Sequence, residues 1–211
     1  MSNPVLLLAL LSSWPAVADT APAPATAASR TLGELALARG ALGFAPCTGE
    51  AAPARGVGAA RDAASLVAAL NRGADGSAFV DVDAARDGDG HWRIERVRRA
   101  YRRGPRCGED LGEFVWRGTL ADGQWTFNVS RRYVVVRGPG ARPAFFRYQP
   151  FSAGADGALR FAAQADGRTV EAALRAQRCR AGDGDSVSDW SLQVALDGAT
   201  YAGCAWGGEP R

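Results

Sequence analysis

The stretch CRAGDGDSVSDWSLQVALDGATYAGC, residues 179–204, decides the fold. Trp190, Leu192, Val194 and Leu196 fall on one face and Ser191, Gln193 and Ala195 on the other, the period of two that a half-buried strand requires. Asp197-Gly198 then turns the chain, because Gly accepts the positive φ of a type I′ turn. The returning strand, Ala199 to Cys204, brings its terminal cysteine back towards Cys179, so the stretch reads as a loop and hairpin closed on itself.

Upstream of it, residues 112–208 are patterned almost wholly as strand. Phe114 with Trp116, Trp125 with Phe127 and Val129, Tyr133 with Val135, Phe145 to Tyr148, Leu159 with Phe161, and Val170 to Leu174 precede the final hairpin. Asp122-Gly123, Gly138-Pro139-Gly140, Gly154 to Gly157 and Asp166-Gly167 separate them as turns. About eight short antiparallel strands at this spacing predict a β-barrel or sandwich. Closure would remove edges that such aromatic strands would offer to aggregation.

The first half, residues 31–108, predicts a small α+β domain of two hairpins and one helix. Leu32 to Ala38 and Ala41 to Pro46 form strands around Arg39-Gly40, and Phe79 to Val82 and Trp92 to Val97 form strands around Asp87 to Gly90. Between them Ala63, Leu66, Val67 and Leu70 recur at helical spacing, predicting a helix from Ala59 to Asn71 that ends at Gly73. The expected fold is therefore mainly β: a curved sheet capped by a helix, then the eight-stranded unit.

At the start of the chain, Val5 to Leu11 is an apolar core too short to span a bilayer. Ala16-Val17-Ala18 supplies a small-x-small cleavage pattern, so residues 1–18 are expected to be a signal peptide. Residues 19–30, rich in Ala, Pro and Thr, are expected to be a flexible leader. No cysteine precedes Cys47, which leaves no lipid acceptor near the cleavage site, and no later segment has the length of a transmembrane helix. The expected location is periplasmic or secreted, with the mature chain soluble.

Export implies an oxidising compartment, where four cysteines read as two bridges. Three pairings are possible; Cys47 with Cys107 and Cys179 with Cys204 is favoured, because each pair then brackets one half of the chain. The alternative, a zinc site, lacks any CxxC spacing and has a single histidine, His91, to draw on. Composition is globular at 47% hydrophobic with a net charge of +3, and all 25 basic residues are Arg. Nucleotide bias in the coding genome accounts for that; selection for bidentate anion contacts, which Arg makes and Lys does not, is the sharper reading.

Two motif sets carry a resemblance. Cys179, Asp189, Leu196 to Gly198 and Gly203 to Ala205, with Phe114, Trp116, Gly123 and Trp125 upstream, resemble a group of uncharacterised bacterial envelope proteins over the last hundred residues. Some of that group carry a first domain similar to those of the copper-resistance and envelope-stress lipoproteins. The group has a Glu-Pro-aromatic-Trp turn and a Met-Ser-Asp loop where this chain has Asp122-Gly123-Gln124-Trp125 and Asp185 to Asp189. The small-barrel pattern also resembles periplasmic inhibitors of animal-type lysozyme, which place a Ser- and Lys-bearing loop in the enzyme's cleft. Without lysine, that role would fall to Arg.

Candidate chemistry is sparse. His91 sits in a Gly-rich turn beside Asp89 with no nucleophile motif nearby, and a triad would need distant residues to converge, so the chain is expected not to be an enzyme. Asp81, Asp83, Asp87 and Asp89, and separately Asp183, Asp185 and Asp189, have oxygen-ligand spacing, but neither run fits a twelve-residue calcium loop; Asp-Gly turns explain them, and no cofactor is expected. Asn128-Val129-Ser130 matches a glycosylation acceptor inside a strand and is set aside. The densest charge is Arg93, Arg96, Arg98, Arg99, Arg102, Arg103 and Arg106 among Trp92, Ile94, Val97 and Tyr101. From it Arg98, Arg99, Arg102, Arg103 and Arg106 are the candidate anion-binding residues, against the alternative of a charged strand edge that deters pairing.

Outside the cytoplasm the available anions are envelope lipids and cell-wall polymers rather than nucleic acid. The leading expectation is a non-catalytic module binding such a component or another envelope protein. The alternative is a small-ligand or metal-carrying barrel in which Trp125, Phe127 and Trp190 line a cavity.

Overall fold

Arg39 and Gly40 take φ of 52° and 78°, and their reversal joins β1 (Ser29–Ala38) to β2 (Ala41–Pro46) in register from Gly33↔Pro46 to Ala38↔Ala41. The computed structural model describes residues 27–57, 62–73, 75–103, 106–108, 114–121, 123–182 and 184–207. The expected signal segment and residues 19–26 of the leader lie outside these. The end of the leader is strand: β1 begins at Ser29, and Arg30 is ion-paired with Asp81.

After β2 come β3 (Ala52–Gly56), α1 (Ala63–Leu70), β4 (Gly76–Arg86) and β5 (Trp92–Tyr101). β4 pairs with both β1 and β5, while β3 pairs with β2 and, in parallel, with β5. The five strands therefore close in the order β5-β3-β2-β1-β4 and back to β5. Register shifts at Asp81/Val82 and Asp83/Ala84 bend the β4–β5 pair, the local twist that a tightly curved barrel needs. The apolar stripe of α1, Ala63, Leu66, Val67 and Leu70, is buried against Leu35, Phe44, Val80, Val82 and Ile94. The helix ends as expected: Asn71 Nδ2 donates to the Val67 and Ser77 carbonyls at 2.9 and 3.1 Å, and Gly73 takes φ 85°. Its expected first residues, 59–61, lie outside the described ones.

The second half forms one antiparallel sheet. β6 (Phe114–Leu120), β7 (Trp125–Ser130), β8 (Tyr133–Arg137), β9 (Ala144–Arg147), β10 (Ser152–Ala153), β11 (Leu159–Ala165) and β12 (Arg168–Arg175) are followed, after an excursion, by β15 (Trp190–Leu196) and β16 (Ala199–Gly207). Their order is β10-β11-β12-β15-β16-β6-β7-β8-β9. Val134, Val136 and Phe146 near one end share a core with Phe161, Val170 and Ala172 near the other, so the sheet curls around its own apolar face. Ring closure, one of the forms expected for this half, occurs instead in the first half.

The excursion is β13 (Cys179–Arg180) and β14 (Ser186–Ser188), residues expected as loop. β14 pairs with Arg99 to Tyr101 of β5, so a piece of the second half extends the first sheet. Asp197 and Gly198 take φ of 51° and 83°, and Trp190 to Leu196 pair with Ala205 to Ala199. The disulfides join Cys47 to Cys107 and Cys179 to Cys204, with Cα separations of 5.3 and 5.4 Å. The second ties the excursion to β16.

Candidate functional site

The arginines singled out in the sequence lie on β5 and just beyond it, and their heads meet carboxylates, carbonyls and rings. Arg93 pairs with Glu95 at 2.8 Å, and Arg96 Nε donates to Asp189 at 2.8 Å. Arg98 pairs with Asp83 at 2.9 Å. Arg99 stacks on two rings, 4.0 Å from the Tyr101 centroid and 3.8 Å from that of Trp206. Arg102 lies 3.5 Å from Asp185 and reaches the last turn of α1 at the Leu70 carbonyl. Arg106 donates to the Arg102 carbonyl at 2.8 Å and stands 5.6 Å over Phe79. Arg103, 79% exposed, holds its Nε 3.4 Å from Asp185 and leaves the rest of its head in water.

Alternation explains this arrangement. Along β4, Ala78, Val80, Val82 and Ala84 point into the barrel, so Phe79, Asp81 and Asp83 point out of it. Phe79 and Asp81 are nonetheless buried, with 2% of each exposed. The outer face of β4 and β5 is the joint with the second sheet, where Trp206 of β16 lies on Arg99. Burial raises the Asp81 carboxyl above its ordinary range despite the two-pronged Arg30 contact, and it raises Asp189 despite Arg96. The Asp189 oxygen left over has no hydrogen-bond partner among the described residues.

The acidic runs serve as counter-ions and turn formers. Asp81 and Asp83 go to Arg30 and Arg98, and Asp185 and Asp189 to Arg102, Arg103 and Arg96; Asp183 lies outside the described residues. Asp87, Asp89 and His91 converge within 4.8 Å at the β4–β5 turn. There the Asp87 Oδ1 accepts the backbone N–H groups of Asp89 and His91 at 3.1 and 2.9 Å, and its other oxygen faces Arg55 at 2.9 Å. Desolvation pushes Asp87 up, but those donors and Arg55 hold it below the ordinary carboxylate range. Its Oδ1 is thus engaged by two amides, while Oδ2, ion-paired with Arg55, accepts no hydrogen bond among the described residues.

The aromatics considered as cavity lining act as filling. Phe127 is fully buried in the second core. Trp190 meets Trp116 edge-on at 4.9 Å, and Trp125 stacks on Tyr201 at 4.6 Å. A groove of about 380 Å³ lies on the outer face of β11, β12, β15 and β16, with Ala162, Ala173 and Ala195 among its lining beside Arg160, Glu171 and Gln193.

A second basic surface emerges where the sequence pattern predicts strands and a turn. On the outer face of β8 and β9, Tyr133 stands opposite Arg147, and Val135 opposite Phe145. Tyr133 and Phe145 are 53% and 56% exposed, the two large apolar side chains left so among the described residues. Arg131, Arg132, Arg137, Arg142 and Arg147 surround them and are all exposed. From residue 123 to residue 155 the chain carries these five arginines and no acidic residue. That sign imbalance lies in the sequence itself, although the Arg93 to Arg106 run is denser in charge. Ion pairing then separates the two segments: Arg93, Arg96, Arg98, Arg102 and Arg103 of the first meet carboxylates, whereas Arg132, Arg137, Arg142 and Arg147 face none among the described residues.

No protein-family model, curated protein or solved structure matches this chain.

Proposed function

We propose that the protein is an exported, non-catalytic binding module that docks an anionic component of the cell envelope. The observation that carries this reading is the outer face of β8 and β9, where exposed arginines flank two exposed rings in a stretch without one acidic residue. Arg132, Arg137, Arg142 and Arg147 face no carboxylate among the described residues, and such a cluster of cations attracts anions over roughly a Debye length. Within the Arg98 to Arg106 group, Arg103 and Arg106 are the exposed members. Two disulfides fit an oxidising compartment.

The test is binding of the purified mature chain to soluble polyphosphate at rising salt. Affinity falls steeply with salt, and Arg132→Gln/Arg137→Gln/Arg142→Gln/Arg147→Gln removes most of it. Loss on Arg103→Gln/Arg106→Gln instead would place docking on the segment after β5, and salt-independent binding would sink the anionic reading. A second reading, carriage of a small polar ligand, has the alanine-lined groove with Arg160 and Glu171 in its favour; native mass spectrometry of the protein purified from the periplasm checks it through added mass.

A further inference from the structure

We infer that the occupant of the β8–β9 face is an anionic lipid bilayer surface, entered to the depth of the Tyr133 and Phe145 rings. This rests on the anion-docking reading and names its partner. Three observations favour a bilayer over a polymer or a small anion.

The first is shape. The second sheet wraps its own core, so the outer face of β8 and β9 is convex, and the groove lined by Arg160 and Glu171 lies elsewhere. Ligands held by concavity need a cleft, whereas a convex face meets a surface that can yield to it.

The second is chemistry. Tyr133 and Phe145 are diagonal neighbours across two paired strands, with half-buried Val135 directly opposite Phe145. They form a small continuous apolar patch whose Phe ring offers no polar group to a phosphate or a sugar. Phe and Tyr rings ringed by cations have the composition of an interfacial anchor, in which rings sit at headgroup depth and guanidinium groups meet the phosphates.

The third is placement of charge. Arg132 precedes β8, Arg137 ends it, Arg142 lies in the connection to β9, and Arg147 ends β9. The cations thus frame the patch at both ends of the hairpin, while its tip, Gly138 to Ala141, is uncharged. The rings, Arg137 and Arg147 lie on strands, and Arg132 and Arg142 lie within two residues of one, so the face is presented without the ordering step of a disordered basic tail.

The experiment is co-sedimentation of the full mature chain with vesicles of phosphatidylglycerol and phosphatidylcholine, with pure phosphatidylcholine vesicles and soluble polyphosphate in parallel. Wild type sediments with the anionic vesicles only. Tyr133→Ser/Phe145→Ser, at exposed positions that leave the core intact, loses about tenfold or more in vesicle affinity and keeps its polyphosphate affinity. Each Arg→Gln change in the frame costs about fivefold on vesicles and weakens polyphosphate binding too. Vesicle binding unchanged by the double serine variant overturns the inference, as does wild type that binds polyphosphate but no vesicle; in both cases anion docking survives. Wild type that binds neither overturns both.

Discussion

The guanidinium of Arg99 lies 3.8 Å from the ring centroid of Trp206, and through this contact the closed barrel of the first half is joined to the last strand of the second. Tyr101 receives the same guanidinium at 4.0 Å and meets Phe79 at 5.4 Å, so the joint is a stack of rings and one cation rather than an apolar core. Trp206 is 6% exposed, and its indole N–H has no partner among the described residues. Cation–π attraction is strongest when desolvated, about 2 kcal/mol, and a planar guanidinium supplies stacking that an ammonium does not.

Trp206→Ala is expected to cost about 3–5 kcal/mol in urea unfolding, the range for deleting a buried aromatic. Trp206→Phe keeps a ring and removes the unpaired N–H, so it should cost clearly less. A double-mutant cycle with Arg99→Ala should give a coupling of about 1–2 kcal/mol; additivity would show that Arg99 does not hold the joint.

Arg30 and Asp81 form a two-pronged pair with 11% and 2% of their side chains exposed. Removing Asp81 takes away the carboxylate that both prongs of the largely buried Arg30 meet, so Asp81→Ala should destabilise by about 3–5 kcal/mol. Arg30→Met/Asp81→Leu leaves no charge stranded and should lie much closer to wild type. Equal losses in the single and double variants would mean that the charges themselves, not their mutual pairing, hold β1 on β4.

Acid stability should carry the sign of the buried carboxyls. Desolvation raises Asp189 and Asp81 above 3.8 in the folded state. The folded chain therefore takes up protons before the unfolded one, and their contribution to stability rises as pH falls towards about 3.8. The Arg175 bond at Asp156 and the Thr169 N–H at Asp197 lower those carboxyls; their contribution is full above 3.8 and is lost as pH falls through the folded values. Asp189→Asn should thus gain on wild type at pH 7 and lose that advantage near pH 4, read from urea midpoints. An advantage that does not change with pH would contradict the raised carboxyl.

Legibility in the sequence followed periodicity. Every strand with clean alternation, from Leu32 to Ala38 through Trp190 to Leu196, forms where the residues place it, and the disulfide pairing favoured on spacing is the one found. β3 was not legible, because Ala-Pro-Ala-Arg-Gly offers no β-branched or aromatic residue; it is a strand through the neighbours on its two sides. β13 and β14 were hidden for a similar reason: Asp-Gly pairs mark turns, and nothing local says that Val187 will lie beside Ala100. The candidate site suffered from a different blindness. Charge density along the chain identified the Arg98 to Arg106 run, but whether an arginine is free to meet a ligand depends on carboxylates brought in from Asp83 and Asp185.

Gly203 is a close-approach glycine. A Cβ there would lie 1.9 Å from the Thr119 carbonyl oxygen and 2.7 Å from the Leu120 Cα, both backbone atoms of β6, which pairs with β16 at this point. Gly203→Ala must push two central strands apart, so a loss of more than about 3 kcal/mol is expected, at the exceptional end for one methyl group. A crystal structure of the variant with the Gly203–Leu120 register kept and stability near wild type would refute it.

The bridge between Cys179 and Cys204 closes a separation of 25 residues, worth about 3.5 kcal/mol in the chain-entropy account. Its position gives it a second effect. β14 pairs with β5 and β13 with β14, while the Arg102 N–H meets the Asp185 carbonyl at 2.9 Å, the Asp189 N–H meets the Arg98 carbonyl at 3.0 Å, and Arg180 reaches the Ala69 carbonyl of α1 at 3.2 Å. β12 and β15 hold the two ends of the excursion, and the disulfide pins its first residue to β16. Cys179→Ala/Cys204→Ala should therefore release the clip before the barrel and the curled sheet unfold. Native-state hydrogen exchange would show the Asp189 and Arg102 amides losing protection while Val194 and Phe127, in the second core, keep theirs. Simultaneous loss at all four would mean that the bridge stabilises the chain only globally, leaving the clip no independent opening.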